Sequence, residues 1–180
     1  CVGCDNTSPT SGILFPTDST YNNSGSSSSA NQNFNDIWYF LVESATNYNG
    51  HDTRKIWLKF DLPSTDVTSA ILSLYPTGGE TLPTSTDVYY HNDNNWSEET
   101  LTFNNEPAHF AGLTSGPHAT NVVSDVNQYY EFDVTDLINN ADDTTVTMVF
   151  ANTLIEINNA INFNDETGAN PPFLTIEYEN

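Results

Sequence analysis

The sequence predicts an all-β fold: a single antiparallel β-sandwich, jelly-roll-like, with one short helical turn. Ten short apolar or alternating segments are separated by turn residues, which is typical of sandwiches. Only residues 135–140 have the pattern of a helical turn, with Asp133 or Thr135 as the expected N-cap. The 180 residues contain no evident repeat and fit one domain. We expect a polar tail, also an assembly segment, over residues 1–12 and the sandwich domain over residues 13–180.

In the first half of the chain, Pro, Gly and Asn separate the predicted strands. These strands are residues 13–15, 36–43, 54–62, 70–75 and 87–90. The segment 36–43 is apolar throughout its centre and predicts a strand covered on both faces. Residues 22–35, which are rich in Ser and Asn, predict a low-complexity loop.

The second half begins with a long loop over residues 91–117, first acidic and then rich in Gly and Pro. Strand character resumes after it. The remaining predicted strands are residues 128–134, 145–150, 154–157, 160–163 and 173–178.

All three basic residues of the chain, Arg54, Lys55 and Lys59, lie on the predicted strand 54–62. Its side chains alternate, so that one face is apolar and the other carries both lysines and Trp57. The formal net charge is -21. We therefore expect an acidic partner for this strand, within the protein or on a ligand.

The composition excludes several classes of protein. An aromatic content of 12% is ample for a packed core and argues against disorder. The strong negative charge repels nucleic acid and anionic membrane surfaces. No apolar run approaches the ~20 residues of a membrane-spanning helix.

The first residues predict export. The chain starts at Cys1 without an initiator Met, which indicates a processed product and an extracellular or cell-surface location. Cys1 and Cys4 form a Cys-x-x-Cys pair. A lipid anchor at Cys1 or a disulfide, within the tail or to a neighbouring chain, suits that location. A redox or metal site is the weakest alternative, because there is no second Cys pair.

Six segments resemble the DNRLRE, or disaggregatase-related, family of secreted proteins, which overlaps with alginate-binding carbohydrate modules. The segments are residues 16–21 (PTDSTY), 54–62 (RKIWLKFDL), 67–75 (VTSAILSLY), 96–107 (WSEETLTFNNEP), 132–138 (FDVTDLI) and 170–178 (NPPFLTIEY). In order and spacing they span nearly everything from Pro16 onward. The resemblance implies an extracellular jelly-roll module, usually non-catalytic, that binds polysaccharide or serves in a cell-surface layer.

The basic strand gives the first candidate binding site. Trp57 could stack on a sugar ring while Lys55 or Lys59 pairs with a uronate carboxylate. Arg54 and Trp96 are further candidate ligand residues. The tyrosine pairs 89–90 and 129–130 are further candidates, although most of these rings are expected in the core. The favoured alternative is that neighbouring acids neutralise the cations. A third alternative is an isopeptide bond, which needs a buried lysine beside an asparagine and a carboxylic acid.

Oxygen ligands are dense in the acidic part of the long loop, as Ca²⁺ requires. The candidate calcium ligands are Asp93, Glu98 and Glu99, joined by Asp18, Asp36 and Asp52 from other loops. The spacing does not match an EF-hand, and a solvated acidic loop is the alternative. Asn6, Asn22 and Asn95 fit the N-glycosylation pattern.

The sequence contains no recognisable catalytic motif, and its four histidines are scattered singly. We therefore expect a protein that is not an enzyme, and two functions remain. The first is a structural subunit that assembles with copies of itself into a surface filament, sheath or layer. The alternative is a carbohydrate-binding module for an acidic polysaccharide such as alginate. Polymers in the native protein would support the first, and retention of a monomer by a polysaccharide gel the second.

Overall fold

The computed structural model describes residues 9–47, 50–64, 66–80, 82–107, 117–152 and 159–179. Within these ranges the chain forms twelve β-strands, one short α-helix and one 3-10 turn. No helix in the described ranges is long and apolar enough to cross a membrane. The predicted all-β sandwich is confirmed.

The strands are numbered β1 to β12 in chain order. Their bounds are β1 Thr10–Leu14, β2 Asp18–Asn23, β3 Tyr39–Asn47, β4 Gly50–Asp61, β5 Ser69–Leu74, β6 Pro76–Gly79, β7 Thr84–His91, β8 Ala119–Val123, β9 Tyr130–Asp133, β10 Thr145–Ala151, β11 Ile161–Asn164 and β12 Phe173–Tyr178. The 3-10 turn is Ser29–Asn31, and the helix α1 is Thr135–Asn139.

The strands form two sheets with the main core between them. The smaller sheet has the order β1-β12-β5-β9, and the larger has β6-β11-β3-β4-β10-β7-β8 with β2 paired to β4. Alternate residues of both sheets point inward, so that Phe132 of β9 meets Phe150 of β10 edge to face, with ring centroids 5.5 Å apart. Leu137 and Ile138 of α1 are buried in this core.

Strand β4 organises the larger sheet because three strands pair with it. Gly50–Arg54 pairs with β3, Arg54–Lys59 with β2, and Ile56–Asp61 with β10. The predicted alternation is confirmed, since Ile56, Leu58 and Phe60 belong to the main core and Trp57 does not. The face that carries Lys55, Trp57 and Lys59 therefore points away from the smaller sheet.

Several predicted boundaries differ from the structure. Strand β1 begins at Thr10, inside the predicted tail, and pairs with β12. Strand β2 was missed, and its last two residues fall in the predicted low-complexity loop. It lacks an apolar alternation because its outward side chains are Asp18, Thr20 and Asn22, which pair across to β4.

Strand β3 begins at Tyr39, later than predicted, so Trp38 precedes it. Phe40, Leu41 and Val42 are buried as expected, whereas Trp38 is 72% exposed. The predicted helical turn is confirmed as α1, but its N-cap is Val134. The Asp133 side chain lies one position earlier and accepts a hydrogen bond from the Thr135 amide at 3.1 Å. The predicted strand 154–157 lies outside the described residues.

Candidate functional site

The outward face of β4 is covered by a second layer of the protein. Residues 93–107 cross this face, and Trp96 and Leu101 from that segment pack on Trp57 of β4 and Val149 of β10. The indole rings of Trp57 and Trp96 are 5.9 Å apart in an edge-on arrangement. This small cluster is separate from the main core, and it buries the face that was predicted to bind a ligand.

Each of the three cations pairs with an acidic side chain of the same chain. Arg54 pairs with Glu43 of β3. Lys55 Nζ lies 2.6 Å from Glu106 Oε1. Lys59 Nζ lies 3.0 Å from Asp18 Oδ2 of β2. The preferred expectation, internal neutralisation of the cations, is confirmed.

The predicted stacking rings are not at the surface. Trp57 is fully buried and Trp96 nearly so. Trp96 Nε1 donates a hydrogen bond to Thr147 Oγ1 at 2.9 Å, while Lys59 Nζ lies 4.5 Å from the centroid of the Trp96 ring. These contacts leave no ring face open to a polysaccharide. The candidate ligand residues Lys55, Trp57, Lys59 and Trp96 therefore form a buried layer, and Arg54, which is partly exposed, is held by Glu43.

A different aromatic side chain is available at the surface. Trp38 borders a cleft of about 370 Å³. Residues from three parts of the chain line this cleft: Asn35, Asp36, Ile37, Trp38, Glu98, Asp165, Glu166 and Thr167. The larger sheet brings them together because residue 38 precedes β3 and residue 165 follows β11, which pairs antiparallel with β3. We call this the Trp38 cleft.

A series of aromatic contacts holds Trp38 in place. The centroids of the Trp38 and Tyr39 rings are 5.1 Å apart, and the ring planes meet at 77°. Tyr39 stacks on Tyr21 at 6.2 Å, and Tyr21 stacks on Phe34 in the core at 4.5 Å. Trp38 is thus an exposed ring on a rigid support, which reduces the conformational entropy lost when a ligand stacks on it.

The acidic side of the cleft is organised around Ser19 of β2. The Ser19 amide donates a hydrogen bond to Glu98 Oε2 at 2.9 Å, and Ser19 Oγ donates one to Glu166 Oε2 at 2.5 Å. Burial raises the pKa of Glu166, and repulsion from Asp165 and Glu98 acts in the same direction. The Asp165 carboxylate is itself buried, and it accepts hydrogen bonds from the backbone amide and the hydroxyl of Thr167. The cleft therefore presents fixed hydrogen-bond acceptors beside an exposed indole.

The family model of carbohydrate-binding module family 96 matches residues 13–178, nearly the whole chain. The chain belongs to carbohydrate-binding module family 96. No curated protein matches it. Membership confirms the carbohydrate-module part of the expected resemblance, while the DNRLRE name remains a resemblance only.

The predicted calcium ligands of this family-96 module lie in different surroundings. The Asp18 carboxylate accepts hydrogen bonds from Lys59 Nζ and from the Glu98 amide. Asp93 Oδ1 accepts a hydrogen bond from the Asn95 amide. Asp36 and Glu98 share the Trp38 cleft. Glu99 is exposed, and the Asp52 side chain lies outside the described parts. Across the described ranges, no group of three or more His, Cys, Asp or Glu side chains is arranged to hold a metal ion.

The other candidate residues of the module are the tyrosines predicted to stack on sugars and the asparagines predicted to carry glycans, and they differ in burial. Tyr89 and Tyr130 are buried, as expected of core rings, and Tyr90 is partly buried. Tyr129 is exposed beside Tyr75 and Phe173. Asn22 is fully buried and cannot accept a glycan in the folded protein, which corrects that expectation, whereas Asn95 is exposed. Cys1, Cys4 and Asn6 lie outside the described residues.

Trp38, the central residue of the cleft, is absent from the site residues that the sequence predicts. Trp38 was assigned to a strand buried on both faces because four apolar residues follow it directly. The neighbouring Asp36 was the available signal, since an acidic residue two positions earlier indicates that the strand has not yet entered the core. Asp165 and Glu166 gave no local signal, because their position depends on the pairing of β11 with β3.

Proposed function

We propose that this module binds a polysaccharide at the Trp38 cleft, without catalysis and outside the cell. The observation that carries the proposal is the Trp38 ring, 72% exposed on a rigid aromatic support beside a polar cleft. An exposed indole offers an apolar face to the C–H groups of a sugar ring, and neighbouring polar groups fix its orientation. Family membership favours this function over the self-assembling subunit.

The charges of the site favour a ligand with many hydroxyl groups over one with many carboxylates. Asp36, Glu98, Asp165 and Glu166 line the cleft and accept hydrogen bonds from hydroxyl donors. The three cations of the chain are held by Glu43, Glu106 and Asp18 and do not line the cleft. A uronate would meet repulsion there unless a divalent cation bridged it to the protein. We therefore propose a neutral polysaccharide, and an acidic one such as alginate binds only with Ca²⁺ present.

Affinity gel electrophoresis and isothermal titration calorimetry test the proposal. The panel contains neutral glucans, mannans and xylans together with alginate and pectin, each with EDTA and with added Ca²⁺. We expect retention by a neutral polymer that is insensitive to EDTA. Binding to alginate in EDTA would contradict the charge argument, and failure to bind any polymer of the panel would contradict the proposal.

Trp38→Ala tests the location of the site. Loss of a stacking contact of roughly 1.4 kcal/mol corresponds to about tenfold weaker binding, and Trp38→Phe should recover part of it. Val122→Ala is the matched control, because Val122 is an exposed apolar residue on β8. Equal affinity of Trp38→Ala and Val122→Ala would place the site elsewhere. Filaments or sheets of the native protein in negative-stain microscopy, without glycan binding, would favour the structural subunit.

A further inference from the structure

Three side chains with complementary chemistry meet in the buried layer on the outward face of β4. Lys55 of β4 and Asn22 of β2 are both fully buried. The two residues are direct cross-strand partners in the antiparallel pair. Glu106, from the covering segment, contacts both of them. A lysine and an asparagine that are cross-strand partners and both contact one carboxylic acid are the components of an amide exchange reaction.

The geometry places the acid between the amine and the amide. Lys55 Nζ is 2.6 Å from Glu106 Oε1, and Asn22 Nδ2 is 2.5 Å from Glu106 Oε2. The β-carbons of cross-strand partners lie roughly 4.5–5.5 Å apart, so the lysine side chain can reach the amide carbon of its partner by bending over the strand pair. Asn22 Oδ1 accepts no hydrogen bond from the part of the chain that the structure describes. A rotation of the amide by half a turn brings Oδ1 to Glu106.

The surroundings favour the neutral forms of both ionisable groups. Burial lowers the pKa of Lys55 to about 8, against the opposing attraction of Glu106. Burial likewise raises the pKa of Glu106. The Phe103 ring lies 5.0 Å from Lys55 Nζ and helps to exclude water. With a pKa near 8, roughly a tenth of Lys55 carries a free amine lone pair at pH 7.

We propose that Lys55 and Asn22 form an intramolecular isopeptide bond, with Glu106 as the proton-transfer residue. A proton moves from Lys55 Nζ to Glu106, which leaves a neutral amine. Nζ attacks Cγ of Asn22 while Glu106 donates a hydrogen bond to Oδ1. The bond from Cγ to Nδ2 then breaks, and Glu106 passes a proton from Nζ to the leaving group. One amide replaces another and one ammonia departs, so that no oxidant or further reactant is needed.

The other cations of the chain lack this arrangement. Lys59 pairs with an aspartate that keeps 23% of its side-chain surface exposed, and its other partner is the backbone carbonyl of Trp96. Arg54 offers only a guanidinium, whose delocalised electrons make it a poor nucleophile. The reaction is therefore selective for Lys55. It joins β2 to β4 covalently beneath the covering segment 93–107. The same segment carries Glu98, which lines the Trp38 cleft.

Intact-mass measurement tests the proposal. The protein is first allowed to fold, and it is then reduced and denatured for the measurement. We expect a mass lower than that of the sequence by one ammonia. A succinimide at Asn49-Gly50 has the same mass, but it hydrolyses in mild base, whereas the isopeptide bond persists. Tandem mass spectrometry of a digest should then show one branched peptide that contains residues 22 and 55. The full sequence mass after prolonged incubation of the folded protein would overturn the proposal, as would an ammonia loss that base removes.

Three variants separate the roles of the residues. Lys55→Met and Asn22→Ser should both retain the full mass, whereas Asn23→Ser, at the neighbouring asparagine, should still lose ammonia. Glu106→Gln preserves the shape of the side chain and should slow the loss at least tenfold in protein that circular dichroism shows to be folded. An unchanged rate in folded Glu106→Gln would overturn the role of Glu106. Ammonia loss that persists in mild base in Asn22→Ser would overturn the site.

Discussion

Lys59→Met removes the cation that joins β2, β4 and the covering segment, and it leaves the apolar stem of the side chain in place. In the wild type, Lys59 Nζ binds Asp18 Oδ2 at 3.0 Å and donates a hydrogen bond to the Trp96 carbonyl. The same atom lies 4.5 Å from the centroid of the Trp96 ring. Methionine fills a similar volume, so the change removes charge and hydrogen bonds and creates little cavity.

The expected decrease in the free energy of unfolding lies between the values measured for surface and for buried ion pairs. Exposed pairs contribute roughly 0–1 kcal/mol, and breaking a fully buried pair removes roughly 3–5 kcal/mol. Lys59 is nearly buried, but the Asp18 side chain keeps 23% of its surface and stays partly hydrated. We therefore expect the free energy of unfolding to fall by about 2 kcal/mol.

Urea denaturation measures this loss. With an m-value of roughly 2 kcal/mol/M, the midpoint should fall by about 1 M. Glycan affinity should change less than about threefold, because Lys59 does not line the Trp38 cleft. In the Lys59→Met background, Asp18→Asn removes the unpaired carboxylate and should recover part of the stability. An unchanged midpoint, or an affinity that falls while the midpoint does not, would refute the reasoning.

Two further predictions concern the cleft and one of the loops. Glu166→Gln should stabilise the fold near pH 7 and have little effect below the ordinary glutamate pKa of 4.5, because folding raises the pKa of Glu166 and the folded protein loses stability as that carboxyl ionises. Thermal melts of both proteins from pH 4 to 8 measure the difference in stability, and a constant difference across that range would contradict the raised pKa. Tyr130→Phe should lower the free energy of unfolding by roughly 1–3 kcal/mol, because the phenol oxygen accepts hydrogen bonds from the amides of Ser124 and Asp125 and from the Gln128 side chain. A urea midpoint equal to that of the wild type would show that water replaces the hydroxyl.

The sequence predicted those parts of the fold that depend on local periodicity. The alternation of β4 correctly assigned Ile56, Leu58 and Phe60 to the main core, because side chains of a strand point alternately to its two faces. The helical turn α1 was predicted from a short polar–apolar pattern and is present. Strand β2 was missed since its outward residues are polar, and their burial depends on partners more than thirty residues away.

The candidate site was less predictable, because it is made by long-range packing. The acidic excess indicated that the three cations would find partners within the chain, and they do. No local pattern shows that residues 93–107 cover the outward face of β4 and bury Trp57. Nor does one show that Trp38 stays outside while its neighbour Tyr39 enters the sheet.

By itself, the sequence determined an acidic all-β domain, the two faces of its central strand and the concentration of every cation on that strand. The tertiary structure decided which acid neutralises each cation and which aromatic ring reaches the surface. It also placed Asn22 and Glu106 against Lys55. The physical reason is that strand periodicity is encoded over a few neighbouring residues, whereas burial and charge pairing depend on segments that only the folded sheets bring together.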